Sequence, residues 1–214
     1  MTDSKNKFPV INIDKDYVLR ELSIDDFKEF YDYFSDNMVN KYILSDIPKS
    51  LRESVDEIEY WQNIYKQKLG VYWAIARRDN NKLIGTIGLN NWYKYHGRVE
   101  LSYDMAKEYW GKGIMSKAFK KVLEYGFNTM LINRIEAVIL PENKDSFYLL
   151  QNNGFINEGT LRNYRFHNEK YYDLIMFSII KSDFEKFRNK NRGFIGKFYN
   201  KLKKKISKGF FKRK

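Results

Sequence analysis

The run Tyr109-Trp110-Gly111-Lys112-Gly113-Ile114-Met115-Ser116 holds the residues best suited to gripping a charged ligand. It is wedged between a strand-like stretch, Val99-Glu100-Leu101-Ser102-Tyr103-Asp104-Met105, and a helical stretch from Lys117 to Asn128. The helix carries apolar residues at Ala118, Phe119, Val122, Leu123 and Phe127. Two glycines at such a junction let the backbone adopt angles that a Cβ forbids and approach a ligand closely. The helix that follows directs unpaired N–H groups and a positive dipole end at the same point. That combination suits a phosphate or pyrophosphate. On two glycines alone, an ordinary strand-to-helix turn competes with this reading.

The surrounding pattern supplies elements to hold the loop. Tyr17 to Glu21 reads as a first strand, and Ser23 caps a helix with Asp26 at its N3 position. Ile24, Phe27, Phe30, Tyr31 and Phe34 give that helix an apolar stripe. A second helix is expected from Ser54 to about Lys68, ended by Gly70. Val71–Arg78 and Lys82–Tyr95 read as strands around Asp79-Asn80-Asn81, with Gly85 and Gly88 marking a close approach inside the second. Val99–Ala106 and Ile132–Leu140 follow as strands on either side of the loop and its helix. Asn143–Asn152 is a helix, and Phe155–Asn163 and Tyr171–Ile180 close the fold around a turn near His167-Asn168. The order implies an α+β sheet with mixed pairing.

Composition narrows the function classes. There is no cysteine, which excludes disulfides, thiolate metal sites and a cysteine nucleophile. The start of the chain lacks the apolar stretch of a signal peptide. No run of about 18 apolar residues is present to span a bilayer, so a cytoplasmic protein is expected. The chain carries 39 Lys and Arg against 27 Asp and Glu, net +12. Residues 181–214 hold 14 Lys or Arg against only Asp183 and Glu185, so the whole excess belongs to this end. The body is neutral, and its chemistry is not that of a nucleic-acid binder.

Four segments, in this order and spacing, resemble the GNAT acetyltransferase superfamily, and within it the RimJ/RimL type that acetylates ribosomal-protein N-termini. They are Ile84-Gly85-Thr86-Ile87-Gly88-Leu89; Glu100 to Tyr103 running into Tyr109 to Met115; Asn143 and Ser146 with Asn153-Gly154-Phe155; and Glu158 to Arg162 before Tyr172-Asp173. The resemblance implies an α+β fold with a mixed, mostly antiparallel central sheet flanked by helices, and two splayed central strands that hold acetyl-CoA. It divides the chain into a loose segment 1–14, an acetyltransferase domain 15–182 and a basic amphipathic tail 183–214. The implied coenzyme contacts are Tyr103, Asp104, Met105, Trp110, Gly111, Lys112, Gly113, Ile114, Met115, Ser116 and Asn143. No metal is implied. Trp110 stands where the superfamily has Arg or Gln, and Met115 where it has a small residue.

The same resemblance distributes the chemistry. Many members donate a proton to the leaving thiolate from a tyrosine whose position here is Leu150, whereas RimL-type proteins use a serine matched by Ser146. Helix capping by Asn143, with Ser146 at N3, is the competing account of that pair. Glu100 is the best-placed carboxylate for a general base, with a solvated strand-start residue as the alternative. A further RimL-type carboxylate falls near Arg165 and so is missing. Asp173 matches a family aspartate with a structural role. His96 and His167 sit in expected turns.

An α-amine titrates near 8 and a lysine near 10.4, so a modest base suffices for an N-terminus. The expected acceptor is a peptide or protein N-terminus. A small-molecule amine is the alternative, and a coenzyme-binding, membrane- or RNA-tethered protein is another. Phe194, Phe198, Leu202, Ile206 and Phe210 recur every fourth residue among lysines, which suits an anionic membrane surface or ribosomal RNA as partner.

Overall fold

The computed structural model describes residues 7–190. Eight strands form one sheet in the order β1-β2-β3-β4-β5-β6-β8-β7. They are β1 (Ile11–Asn12), β2 (Tyr17–Glu21), β3 (Val71–Arg77), β4 (Leu83–Tyr93), β5 (Arg98–Met105), β6 (Arg134–Ile139), β7 (Ile156–His167) and β8 (Lys170–Ile180). All neighbours are antiparallel except β5 and β6. The helices are α1 (Phe27–Phe34), α2 (Asn37–Asn40), α3 (Leu51–Lys66), α4 (Ile114–Asn128) and α5 (Lys144–Asn152), with α6 over residues 181–190. This is the expected α+β architecture.

Strand alternation sorts side chains between the two faces. On one face Trp61 of α3 stacks on Tyr72 at 3.8 Å, and Tyr33 of α1 bonds Asp104 of β5. On the other, Phe119 and Tyr125 of α4 pack edge-on to Tyr103 and Trp73, and Phe147 of α5 meets Phe177. Both glycines of β4 answer a close approach. A Cβ at Gly88 would stand 1.8 Å from the Tyr72 ring, and one at Gly85 would stand 2.5 Å from the Asp104 carbonyl oxygen.

The capping box at Ser23 forms with Asp26, which also takes both terminal nitrogens of Arg20 at 2.7 Å. Three expectations need correction, and one element is additional. The segment 1–14 is packed from Phe8 onward: Phe8 lies against Tyr65 and Trp73, and β1 pairs with β2. The second long helix starts at Leu51, because Ser50 and not Ser54 accepts the capping bond, from Glu53 N–H. The short α2 has no counterpart in the expected pattern. Finally, the 182/183 boundary falls inside α6, whose Phe184 is buried against Phe127. The expected amphipathic repeat from Phe194 to Phe210 lies outside the described residues. No helix among the described residues is long and apolar enough to cross a membrane.

Candidate active site between the splayed strands

β5 and β6 pair over only three residues, Arg98 with Arg134, Val99 with Ile135 and Glu100 with Glu136. Beyond Glu100 the strands part. Ala106 N–H donates to the Ile84 carbonyl at 2.9 Å. By the alternation of an antiparallel ladder, Ser102 and Asp104 also spend their backbone groups on β4. Leu101, Tyr103 and Met105 therefore aim theirs at the gap. Asp104, an expected coenzyme contact, thus turns its backbone to β4, and only its two neighbours face the gap. The Met105 carbonyl is already taken, by the Trp110 indole N–H at 2.6 Å.

The glycine loop closes one end of the gap. Gly111 and Gly113 both have φ of +71°, and a Cβ at either would meet nothing within 4 Å. Gly113 starts α4 without a side-chain cap. The first i→i−4 bond is Lys117 N–H to the Gly113 carbonyl at 3.2 Å. Ile114, Met115 and Ser116 therefore hold N–H groups with no partner inside the helix. Ile114 and Met115 bury their side chains in the core and offer only backbone. The Ser116 hydroxyl faces Asn153 Nδ2 at 3.4 Å. Lys117 pairs with Asp14 and Lys107 with Asp36. Lys112, over the Tyr109 ring at 5.1 Å, is left as the loop cation with no carboxylate partner among the described residues. Open space, left-handed glycines and uncapped N–H groups fit a pyrophosphate.

The other end of the gap carries hydroxyls. Asn143 does cap α5, accepting from Ser146 N–H at 3.1 Å. The Tyr103 hydroxyl is buried without a hydrogen-bond partner. Burial pushes its phenol well up, and the nearby Ser146 hydroxyl offsets part of that rise. Leu150 is fully buried in the core. Tyr148 is exposed.

On the opposite face Asp104 accepts from Tyr33 at 2.6 Å and from Thr86 Oγ1 at 2.7 Å. Burial lifts its carboxyl to about 6, and the two hydroxyl bonds oppose that rise. Sequence reasoning missed this unit, because Tyr33 lies 71 residues from its partner. Glu100 lies on this same face and accepts from Asn91 Nδ2 at 3.0 Å. It lines a cleft with Tyr164, Arg165 and Met176. Asp173 accepts from Asn163 N–H at 2.8 Å and pins an irregular stretch of β7. His96 ends a short turn and His167 ends β7. Among the described residues no cluster of three or more His, Asp or Glu could hold a metal.

Comparison with known proteins identifies the family. Residues 17–156 match the family model of the acetyltransferase (GNAT) domain. An uncharacterized N-acetyltransferase, YoaA of Bacillus subtilis, is 34% identical over 81% of this chain and 98% of its own. The spermidine N(1)-acetyltransferase of Vibrio cholerae is 26% identical over 68% of this chain and 84% of its own. The solved structure of RimL, a ribosomal L7/L12 α-N-protein acetyltransferase, superposes with a TM-score of 0.73 at 16% identity. It covers 84% of this chain and 98% of that one.

Proposed function

The chain belongs to the GNAT acetyltransferase family and transfers acetyl from acetyl-CoA to an amine; we propose that the acceptor is an α-amino group, that of a peptide or protein first among them. The observation that carries this reading is Glu100, a carboxylate lining a cleft bordered by Tyr164 and Arg165 of the largely exposed strand β7. An open border admits an extended chain. A single carboxylate is base enough for an amine that titrates near 8.

The coenzyme is the co-substrate, and the residues present fit it. Gly111 to Ser116 would hold its pyrophosphate through main-chain N–H groups. Leu101 and Tyr103 would pair their gap-facing backbone with its amides in the manner of an added strand. The Met105 N–H faces the same gap and would polarise the reacting carbonyl. Glu100 would take the proton of the amine, and the adjoining hydroxyls of Tyr103 and Ser146 would return one to the departing sulfur. Asn143 then holds the helix that carries Ser146.

A small-molecule amine is the second reading, supported by the spermidine-acetylating relative. Acetyl-CoA-dependent thiol release, measured against pooled peptides with free N-termini and against pooled small amines, separates the two. Release with small amines alone would overturn the peptide assignment.

A further inference from the structure

The cleft beside Glu100 holds two charges of opposite sign that do not meet. Six ionic groups gather where β5 leaves β6, and four of them satisfy one another, Arg134 bonding Glu158 as well as Glu136. Glu136 accepts from Arg98 at 2.9 Å and from Arg134 at 2.6 Å, and Arg98 also lies 4.2 Å over the Tyr93 ring. The remaining two are Glu100 and Arg165. Among the described residues Glu100 has only the Asn91 amide as partner, and Arg165 has only the Leu44 carbonyl, at a long 3.5 Å. Neither forms an ion pair with the other, although both line the same cleft.

Arg165 reaches this place through an irregularity in its strand. Between Leu161 and Arg165 the register against β8 shifts, so that three residues of β7 oppose one of β8. Asn163 adopts φ of +51° there, and Asp173 holds its N–H. Such bulges re-aim a side chain. Here the re-aimed side chain crosses to the loop before α3, opposite the carboxylate.

We propose that the acceptor carries an anionic group, a carboxylate or phosphate, close to its amine, and that Arg165 grips that group while the amine rests against Glu100. A guanidinium presents paired donors that match either anion. A carboxylate alone in the cleft would favour any amine. A carboxylate and an unpaired guanidinium together favour a zwitterion and disfavour a polyamine, whose second cation would face Arg165. Candidate acceptors are an α-amino acid, a peptide with an acidic first or second side chain, or a phosphorylated amine. This inference rests on the amine-acetylation reading above and narrows its acceptor, in the peptide case to an α-amine beside an acidic side chain.

The test is a matched series of acceptors: peptides beginning with aspartate or asparagine, an amino acid and its amide, and phosphoethanolamine beside ethanolamine. We expect kcat/KM to favour the anionic member of a pair by roughly tenfold or more, as charged hydrogen bonds do. The carboxylate and phosphate arms distinguish the two anions. Arg165→Gln should reduce that ratio to near one, and Arg165→Glu should invert it, with acetyl-CoA affinity retained as the measure of an intact fold. Equal rates within every pair, or an unchanged ratio in both variants, would overturn the proposal. Calorimetric titration of the same amines reads binding without turnover. Selective binding without acetylation would sink the acetyl-transfer reading and leave this one standing, and unselective binding would do the reverse.

Discussion

Trp110 reaches back five residues to place its indole N–H 2.6 Å from the Met105 carbonyl, at the point where β5 ends and the glycine loop begins. The bond ties the gap-facing strand to the glycine loop, so the two parts of the proposed coenzyme site hold a fixed spacing. A neutral hydrogen bond of this kind contributes about 1 kcal/mol. Trp110→Phe should therefore raise the KM for acetyl-CoA about fivefold and leave kcat little changed. Steady-state kinetics at saturating acceptor decide it. A fall in kcat at constant KM would place Trp110 in the chemistry instead.

Tyr103 offers an unusual pairing of outcomes. Its hydroxyl is buried and unpartnered, so Tyr103→Phe removes a cost and should leave stability equal or higher by about 1 kcal/mol. If the hydroxyl supplies a proton, the same variant should lose kcat by roughly 10- to 100-fold. Ser146→Ala should show a similar loss. Chemical denaturation and turnover, measured on one preparation, expose both effects. A variant that is both stable and fully active would remove Tyr103 from the mechanism.

Asp104 should make stability depend on pH. Its ordinary value is 3.8, and burial raises it to about 6 in the folded protein. Between those values the folded state keeps a proton that the unfolded chain has released. Its contribution is therefore most favourable below pH 4 and is lost as pH rises toward 6 and beyond. The loss is on the order of 2–3 kcal/mol. Asp104→Asn should flatten this slope while keeping an acceptor for Tyr33 and Thr86. Urea midpoints at pH 4 to 7 provide the comparison, and parallel curves for the two proteins would refute the assignment.

Gly88→Ala should destabilise the fold by about 1–3 kcal/mol or more, since an overpacked core moves side chains off their rotamers. The new methyl would meet Tyr72, which cannot yield because Trp61 is stacked on its other side. Pairing Gly88→Ala with Tyr72→Leu should recover part of the loss. A thermal midpoint unchanged by Gly88→Ala alone would contradict this packing.

How far the sequence could be read depended on the range of each interaction. The Ser23–Asp26 box, the glycine junction and the Asn143 cap are written within a few residues, and each appears where its local pattern places it. The start of α3 is harder to place, because Ser50 and Ser54 are equally good local caps. The start at Ser50 is reinforced by a second bond beside it, since the Glu53 carboxylate reaches back to accept from Lys49 N–H at 2.9 Å. Ser54 is buried in the helix interior instead. The tie from Tyr33 to Asp104 and the crossing of Arg165 to Leu44 span 71 and 121 residues. No periodicity announces such partners. By spacing, Arg165 stands where a carboxylate is expected, but only the bulge in β7 shows where its charge goes.

The three-pair contact between β5 and β6 has a consequence for how the protein unfolds. On the hydrogen-bonding side, the sheet is two plates, β1–β5 and β6–β8, joined by a short seam. A coenzyme held along the gap as proposed would act as a ninth, removable strand. Its departure would leave the plates free to open as separate cooperative units, and its arrival would fuse them into one. Amide exchange at Leu101–Met105 and at Ala137–Ile139 should then slow together on coenzyme binding, so a small molecule would set the size of the folding unit.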